Sequence, residues 1–309
     1  MIWSYVHKGI YRLYNTSLNA SGQYRKQLEG HYSMPQESEN MEVSLFSQSL
    51  FALPLVEAIE TTARIGFPAI ELACAKPHFD LETALEEPGE AAEYVRRAGL
   101  KVSALSLFNN FTDAGCLDDQ IEKAKTYIRL TPLFHTEIVK MTPGPPASAN
   151  AGEEHWRCLG IALEHLVPVA EECNVRLAFE THMRQLTDTL AGARQLLEMA
   201  RTDVVGLTVD FSNLAFAGES MPEVVFALGK RIYNTHLKNG TISEDGKWHF
   251  NALDEGLTDY IQVLSLLRNT NYNGFLTIEC LSPAAREKPV ETAKRDLEIL
   301  RRFLEQIRY

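Results

Sequence analysis

The residues best placed to do chemistry in this sequence stand at the ends of four short apolar runs. Glu180, followed by His182, closes VRLAFETH; Asp210 closes VVGLTVD; His236 ends IYNTH; and Glu279 ends FLTIE. Burying a charge without a partner is costly, so an acid at the end of a hydrophobic run is ordinarily a helix cap or a loop residue. Three acids and a histidine closing four successive runs call for a common cause. Three carboxylates and an imidazole brought to one point would repel each other, and a divalent cation removes the conflict. Oxygen ligands with one imidazole suit Mn2+ first, with Mg2+, Co2+ or Zn2+ as alternatives, and the lack of a thiolate argues against a closed structural zinc site.

The elements that must position these residues follow from periodicity. From Glu42 onward, short apolar runs alternate with amphipathic segments, the pattern of parallel βα units. Strands are predicted over 42–50, 69–75, 101–108, 136–141, 175–182, 204–210, 232–238 and 275–279. Helices are predicted over 53–65, 81–98, 118–130, 153–173, 187–199, 222–228, 256–269 and 289–307. Eight strands and about eight helices over about 270 residues fit a (β/α)8 TIM barrel. A doubly wound open sheet would advertise a glycine-rich phosphate turn, and no GxGxxG occurs. The expected fold is α/β, a single (β/α)8 barrel over 41–309 behind a loosely structured N-terminal extension, 1–40. In such a barrel the active site lies at the carboxyl ends of the strands. Neighbouring strands are about 4.8 Å apart, so four consecutive strand ends can converge.

Bulk properties narrow the partners. The chain has 309 residues, 45% hydrophobic and 23% charged, with a formal net charge of −11. That acidity, without a dense Lys/Arg run, argues against nucleic acid. No apolar run reaches the ~18–20 residues of a membrane span, and the first residues lack the pattern of a signal peptide. The five cysteines are scattered, without a CxxC. Free thiols in a reducing cytoplasm are expected.

The segments LAFETH, TVDFSN, THLKN and GFLTIE resemble the xylose-isomerase-like superfamily of TIM barrels, from about Met41 to the C-terminus. That group includes sugar (phosphate) isomerases and epimerases, inosose dehydratases, hydroxypyruvate isomerases and endonuclease IV. The resemblance implies one divalent metal held by Glu180, Asp210, His236 and Glu279. By resemblance to the ketose epimerases, Glu180 and Glu279 are also acid and base, moving a proton next to a carbonyl through an enediolate. One departure stands out: the epimerase pattern commonly has a histidine where this chain has Asn213. An amide can donate a hydrogen bond but cannot shuttle a proton, so His182, on the same side of its strand as Glu180 by period-two alternation, is the candidate replacement. An added histidine there also resembles the large subunit of C-glycoside deglycosidases. That points to a lyase as the alternative, a 3-oxo-C-glycoside deglycosidase or an inosose-type dehydratase with His182 as base.

Glu71, Lys140, Asn213, Lys238, Trp248 and His249 are expected to contact substrate, with Asn109 and Asn110 as further hydroxyl binders. His78, His135, His155 and His165 read as structural or exposed. The expected substrate is a small sugar or sugar derivative and the expected assembly a homo-oligomer, with a small partner subunit on the deglycosidase reading. An endonuclease would need more histidines after strand seven and a less acidic chain. A non-catalytic binding barrel would not need all four ligands.

Overall fold

The computed structural model describes residues 41–308; the expected extension over 1–40 lies outside them. Eight parallel strands close into a barrel: β1 (Glu42–Phe46), β2 (Ala69–Ala73), β3 (Lys101–Ser106), β4 (Ile138–Met141), β5 (Arg176–Glu180), β6 (Val205–Asp210), β7 (Ile232–Leu237) and β10 (Phe275–Ile278). They follow in chain order around the barrel, and β10 pairs with β1 to close it. Between them run α1 (Leu55–Ile65), α2 (Leu81–Glu86), α3 (Pro88–Arg97), α4 (Leu117–Leu130), α5 (Glu153–Cys173), α6 (Leu190–Ala200), α7 (Phe211–Phe216), α8 (Met221–Leu228), α9 (Tyr260–Asn269), α10 (Pro283–Glu287) and α11 (Pro289–Gln306). None of the described helices is long and apolar enough to cross a membrane.

Strand alternation divides the buried residues into two sets. Leu45, Ile70, Leu72, Leu105, Val139, Leu177, Phe179, Val209 and Leu237 belong to the hydrophobic layer between strands and helices. The other set fills the barrel, and much of it is polar. Ser44 on β1 and Ser103 on β3 share a 2.8 Å hydrogen bond, and Glu71 on β2 reaches Asn234 and His236 on β7. Barrels of this kind are more often filled by branched apolar side chains. Here the interior is wired with hydrogen bonds that cross from one wall to the other.

Several predicted elements end differently, each for a local reason. The first strand stops at Phe46, and Ser47–Leu50 forms a 3-10 turn instead of continuing it. The helix expected over 81–98 is broken into α2 and α3. Pro88 has no N–H to continue the ladder, and Glu87 before it leaves the helical region at φ −138°, ψ 56°. The segment after β7, read from sequence as a loop, folds into an antiparallel hairpin of β8 (Asn239–Ile242) and β9 (Trp248–Asn251).

The register between β6 and β7 sets two candidate ligands side by side, Asp210 opposite His236, after an irregularity between Leu207 and Thr208. Gly206 makes this approach feasible, because a Cβ there would collide with the Tyr233 ring and lie 2.7 Å from the Arg231 carbonyl oxygen. Gly206→Ala should therefore destabilise the barrel by about 1–3 kcal/mol, the usual cost of overpacking. Thermal unfolding checks this, and an unchanged melting temperature would contradict the packing described.

Candidate metal centre

The structure brings Glu180, Asp210, His236 and Glu279 together at the barrel mouth. One ligand atom from each lies within 4.8 Å of all the others, and all four residues are buried. His236 Nδ1 stands 3.5 Å from Glu180 Oε1 and 3.9 Å from Glu279 Oε2, so the two glutamates flank it. Two ammonium groups complete the cluster. Lys140 Nζ is 2.5 Å from Glu180 Oε2, and Lys238 Nζ lies 2.8 Å from Asp210 Oδ2 and 2.7 Å from Glu279 Oε2. Both lysines are almost wholly buried, at 1% and 4% exposed.

Asp210 divides its labour between two roles. Its Oδ1 accepts the backbone N–H of Asn213 at 2.9 Å, the ordinary N-cap of α7. Its Oδ2 faces Lys238 and the centre. One oxygen thus caps a helix while the other is turned to the cluster.

His236 supplies the test of whether a metal fits. Its Nε2 is 2.8 Å from Glu71 Oε1, and the other Glu71 oxygen accepts from Asn234 Nδ2 at 2.8 Å. A carboxylate only accepts, so Nε2 carries the proton and donates. The opposite nitrogen, Nδ1, is buried without a hydrogen-bond partner and points among three carboxylates. A carboxylate behind an imidazole is the arrangement that orients a metal-binding histidine. The donor set is one nitrogen and carboxylate oxygens, with no sulfur: Cys280, next to Glu279, turns its thiol to Asp296 Oδ2 at 3.5 Å. The residues fit a divalent cation with hard or borderline preferences.

Charge supports the same reading. Burial disfavours ionised Glu180, but Lys140, His182 and His236 together hold its carboxyl well below the usual range. Burial also opposes ionised Glu279, and Lys238 and His236 outweigh it to lower that group too. For Asp210 burial prevails over Lys238 and the carboxyl is raised. Burial pulls the His236 imidazolium down, yet Glu71 and Glu180 push it up to about 10. Four carboxylates, counting Glu71, face two ammonium groups; a dication with a neutral imidazole brings the cluster to formal neutrality.

The remaining predicted residues fall in distinct places. Glu71 sits behind His236, 0% exposed, rather than at a surface open to substrate. Asn213 is also buried, and its amide nitrogen donates to the Thr181 carbonyl at 3.0 Å. His182 lies outside the four-residue group. Its Nδ1 donates to the Met183 carbonyl at 2.8 Å, leaving Nε2 as the free basic nitrogen. Trp248 has its ring stacked on Phe216 at 6.2 Å, with the Arg184 guanidinium 4.6 Å from its centroid. His249 points from the other side of β9, exposed, with Nε2 3.2 Å from Ser243 Oγ. Asn109 donates to Gln120 Oε1 on α4 at 3.2 Å, and Asn110 Oδ1 accepts from Thr112 Oγ1 in the same loop at 2.8 Å.

Sequence reasoning missed the aromatic rim. The Phe46 ring lies 5.1 Å from the His236 ring, and Lys140 Nζ is 5.6 Å from Phe46 and 5.2 Å from Phe108. Phe250 stands 5.6 Å from Lys238 Nζ. Phe46 ends β1 as Glu180 ends β5, so the strand-end logic applied to acids would have found it.

The family model described as xylose isomerase-like TIM barrel matches residues 59–303. An inosose dehydratase of Clostridium tetani is 29% identical over 157 residues, 46% of this chain and 52% of that protein. An inosose dehydratase of Bacillus cereus is 26% identical over 168 residues, 50% of this chain and 55% of that protein. The chain thus spans about half the length of the curated relatives it matches. Among solved structures, an IolI protein with a bound zinc atom superposes with a TM-score of 0.72 at 19% identity, covering 86% of this chain and 99% of that one. An L-ribulose 3-epimerase gives 0.70 at 18% identity, covering 87% and 96%. At these identities the structural likeness speaks for the fold.

Two outcomes follow from the geometry at His236. Glu71→Gln should weaken divalent-metal affinity by about 10–100-fold, the usual cost of losing the group behind a histidine ligand; chelator competition measures it, and wild-type affinity would contradict the assignment. In the metal-free protein His236 is protonated below about pH 10, so a metal must displace that proton. Apparent affinity should rise with pH, by about tenfold per unit for one displaced proton. Metal titrations at pH 6, 7 and 8 check the slope, and a flat profile would contradict it.

Proposed function

This chain belongs to the xylose isomerase-like TIM-barrel family, and on that premise we propose that it is a divalent-metal-dependent enzyme that moves a proton next to the carbonyl of a small sugar or keto-polyol. The observation that carries the reading is the pair of glutamates flanking His236 Nδ1, each with its own buried lysine. A cation held by Glu180, Asp210, His236 and Glu279 would supply Lewis-acid polarisation of the carbonyl and charge for a developing enediolate. The rest belongs to the side chains. One glutamate takes the proton from the carbon beside the carbonyl and the other returns one, which is how a two-base site isomerises or epimerises. Lys140 and Lys238 keep those carboxylates anchored and donate towards substrate oxygens. Phe46, Phe108 and Phe250 wall off water, strengthening every electrostatic contact inside. Asp210 and His236 act only as ligands.

A specific observation favours a second reading, elimination. His182 Nδ1 is committed to the Met183 carbonyl, so Nε2 is the nitrogen left for proton transfer, two residues beyond Glu180. The proton abstraction is the same, but the enediolate then expels water or another leaving group. The inosose dehydratases among the relatives support this outcome.

Incubation of the metal-loaded protein with a panel of keto-sugars and inososes in D2O tests the proposal. Deuterium entering beside the carbonyl with no loss of atoms identifies isomerase or epimerase chemistry; an unsaturated product identifies the lyase. Finding neither deuterium exchange nor an unsaturated product with any member of the panel would overturn both. Glu180→Gln and Glu279→Gln should each lower the exchange rate by about 10²–10⁴, the range of a lost acid or base, with the far-ultraviolet spectrum unchanged.

A further inference from the structure

A cavity lies beside the metal centre. On the β1 and β10 side of the barrel mouth lies a cleft of about 450 Å³, lined among others by Gln48, Phe51, Phe250, Cys280, Ala285 and Arg286. Its position ties it to the chemistry. Cys280 directly follows Glu279, and its N–H donates to Ser49 Oγ at 2.9 Å, fastening the turn after β1 to the end of β10. Phe250 is the shared wall: its ring faces Lys238 Nζ at 5.6 Å, and that ammonium is 2.7 Å from Glu279 Oε2. Phe250 therefore lines the cleft and also faces an ammonium of the metal centre.

The lining defines what that group is. Phe51 and Phe250, with Leu281, Ala285 and Pro289, make the cleft largely aromatic and aliphatic. Phe51 is held firmly, edge-on to His78 at 4.9 Å, and His78 is itself pinned by Ser47 Oγ and the Leu53 carbonyl. Cys280 offers no nucleophile: its thiol donates to Asp296, and burial and that carboxylate keep it protonated. Arg286, exposed, is the one cationic residue of the lining. A largely apolar cleft with one cation in its lining suits a flat ring carrying an acidic substituent. The size lies within the range of pockets that hold whole small ligands, about 300–1,000 Å³, more than a bare hydroxyl group would need.

We propose that this cleft is a substrate subsite for an aryl group, with its ring against Phe51 and Phe250 and a carboxylate or phenolic oxygen at Arg286. The inference rests on the functional reading above and narrows its substrates to keto-sugars bearing an aromatic substituent.

The test uses the full chain stripped of metal with a chelator, so that ring binding is read separately from chemistry. Dissociation constants are measured by saturation-transfer NMR for methyl, phenyl and 4-carboxyphenyl β-D-glucoside. The phenyl compound should bind about tenfold or more tightly than the methyl one, as burial of a ring predicts, and the carboxyphenyl compound more tightly still. Ala52→Trp places an indole from an exposed position of the lining across the cleft. It should erase the preference for the aryl compounds, while Arg286→Ala should erase only the extra gain of the carboxylate. Equal binding of methyl and phenyl glucosides, or an aryl preference that survives Ala52→Trp, overturns the subsite. A protein that takes up metal and exchanges deuterium but shows no aryl preference loses the subsite alone. One that prefers aryl glucosides but never binds metal loses the proposed function alone.

Discussion

Mutual repulsion among Glu180, Asp210 and Glu279 is the constraint on which the rest of the structure depends. Their oxygens converge in a mouth screened from water, where like charges interact far more strongly than at a surface. Such a cluster persists only if cations are built into it. Lys140 and Lys238 supply two, reaching in from β4 and from the end of β7 to distances of 2.5–2.8 Å. The imidazole of His236 is the adjustable third: protonated, it offsets charge; deprotonated, it offers a ligand. A divalent ion and a neutral His236 are the combination in which every buried charge has a partner.

The polar barrel interior follows from that constraint. His236 can present Nδ1 to the centre only if its other nitrogen is fixed, which Glu71 does from the opposite wall. Glu71 is in turn held by Asn234, and Asn234 Oδ1 accepts from Thr277 Oγ1 at 3.3 Å. Three strands therefore cooperate beneath one imidazole. Truncating any member of this chain would leave a buried polar group unsatisfied, a penalty larger than the bond itself is worth. A conventional apolar filling would give the barrel easier packing but no means of choosing the imidazole tautomer.

What was readable in the sequence follows from the range of each interaction. Strand ends announce themselves locally, because an acid after Val-Arg-Leu-Ala-Phe or Gly-Leu-Thr-Val breaks a pattern visible within a few residues. The βα alternation is likewise local, and so the barrel and the convergence of Glu180, Asp210, His236 and Glu279 could be anticipated. Glu71 could not be assigned correctly from sequence, since its partners lie more than 160 positions away and its strand reads like any other. The same holds for Trp248, expected to stack on a sugar, whose ring is engaged by Phe216 and Arg184. The hairpin β8–β9, by contrast, was written in the sequence, in the Asp245-Gly246 turn and the alternation of Trp248-His249-Phe250-Asn251, but its strands are only four residues long and were passed over. The break at Pro88, too, was written in the sequence and was overridden by the amphipathic pattern on either side.

The central claim is that these four side chains form one oxygen-and-nitrogen metal centre. X-ray absorption on metal-reconstituted protein tests it directly, read with the metal-to-protein ratio. The account predicts one divalent ion per chain, with a first shell of nitrogen and oxygen only, at about 2.0–2.2 Å for zinc, lost together with the metal in His236→Ala. A protein that retains no metal after dialysis, or a shell containing sulfur, would contradict it.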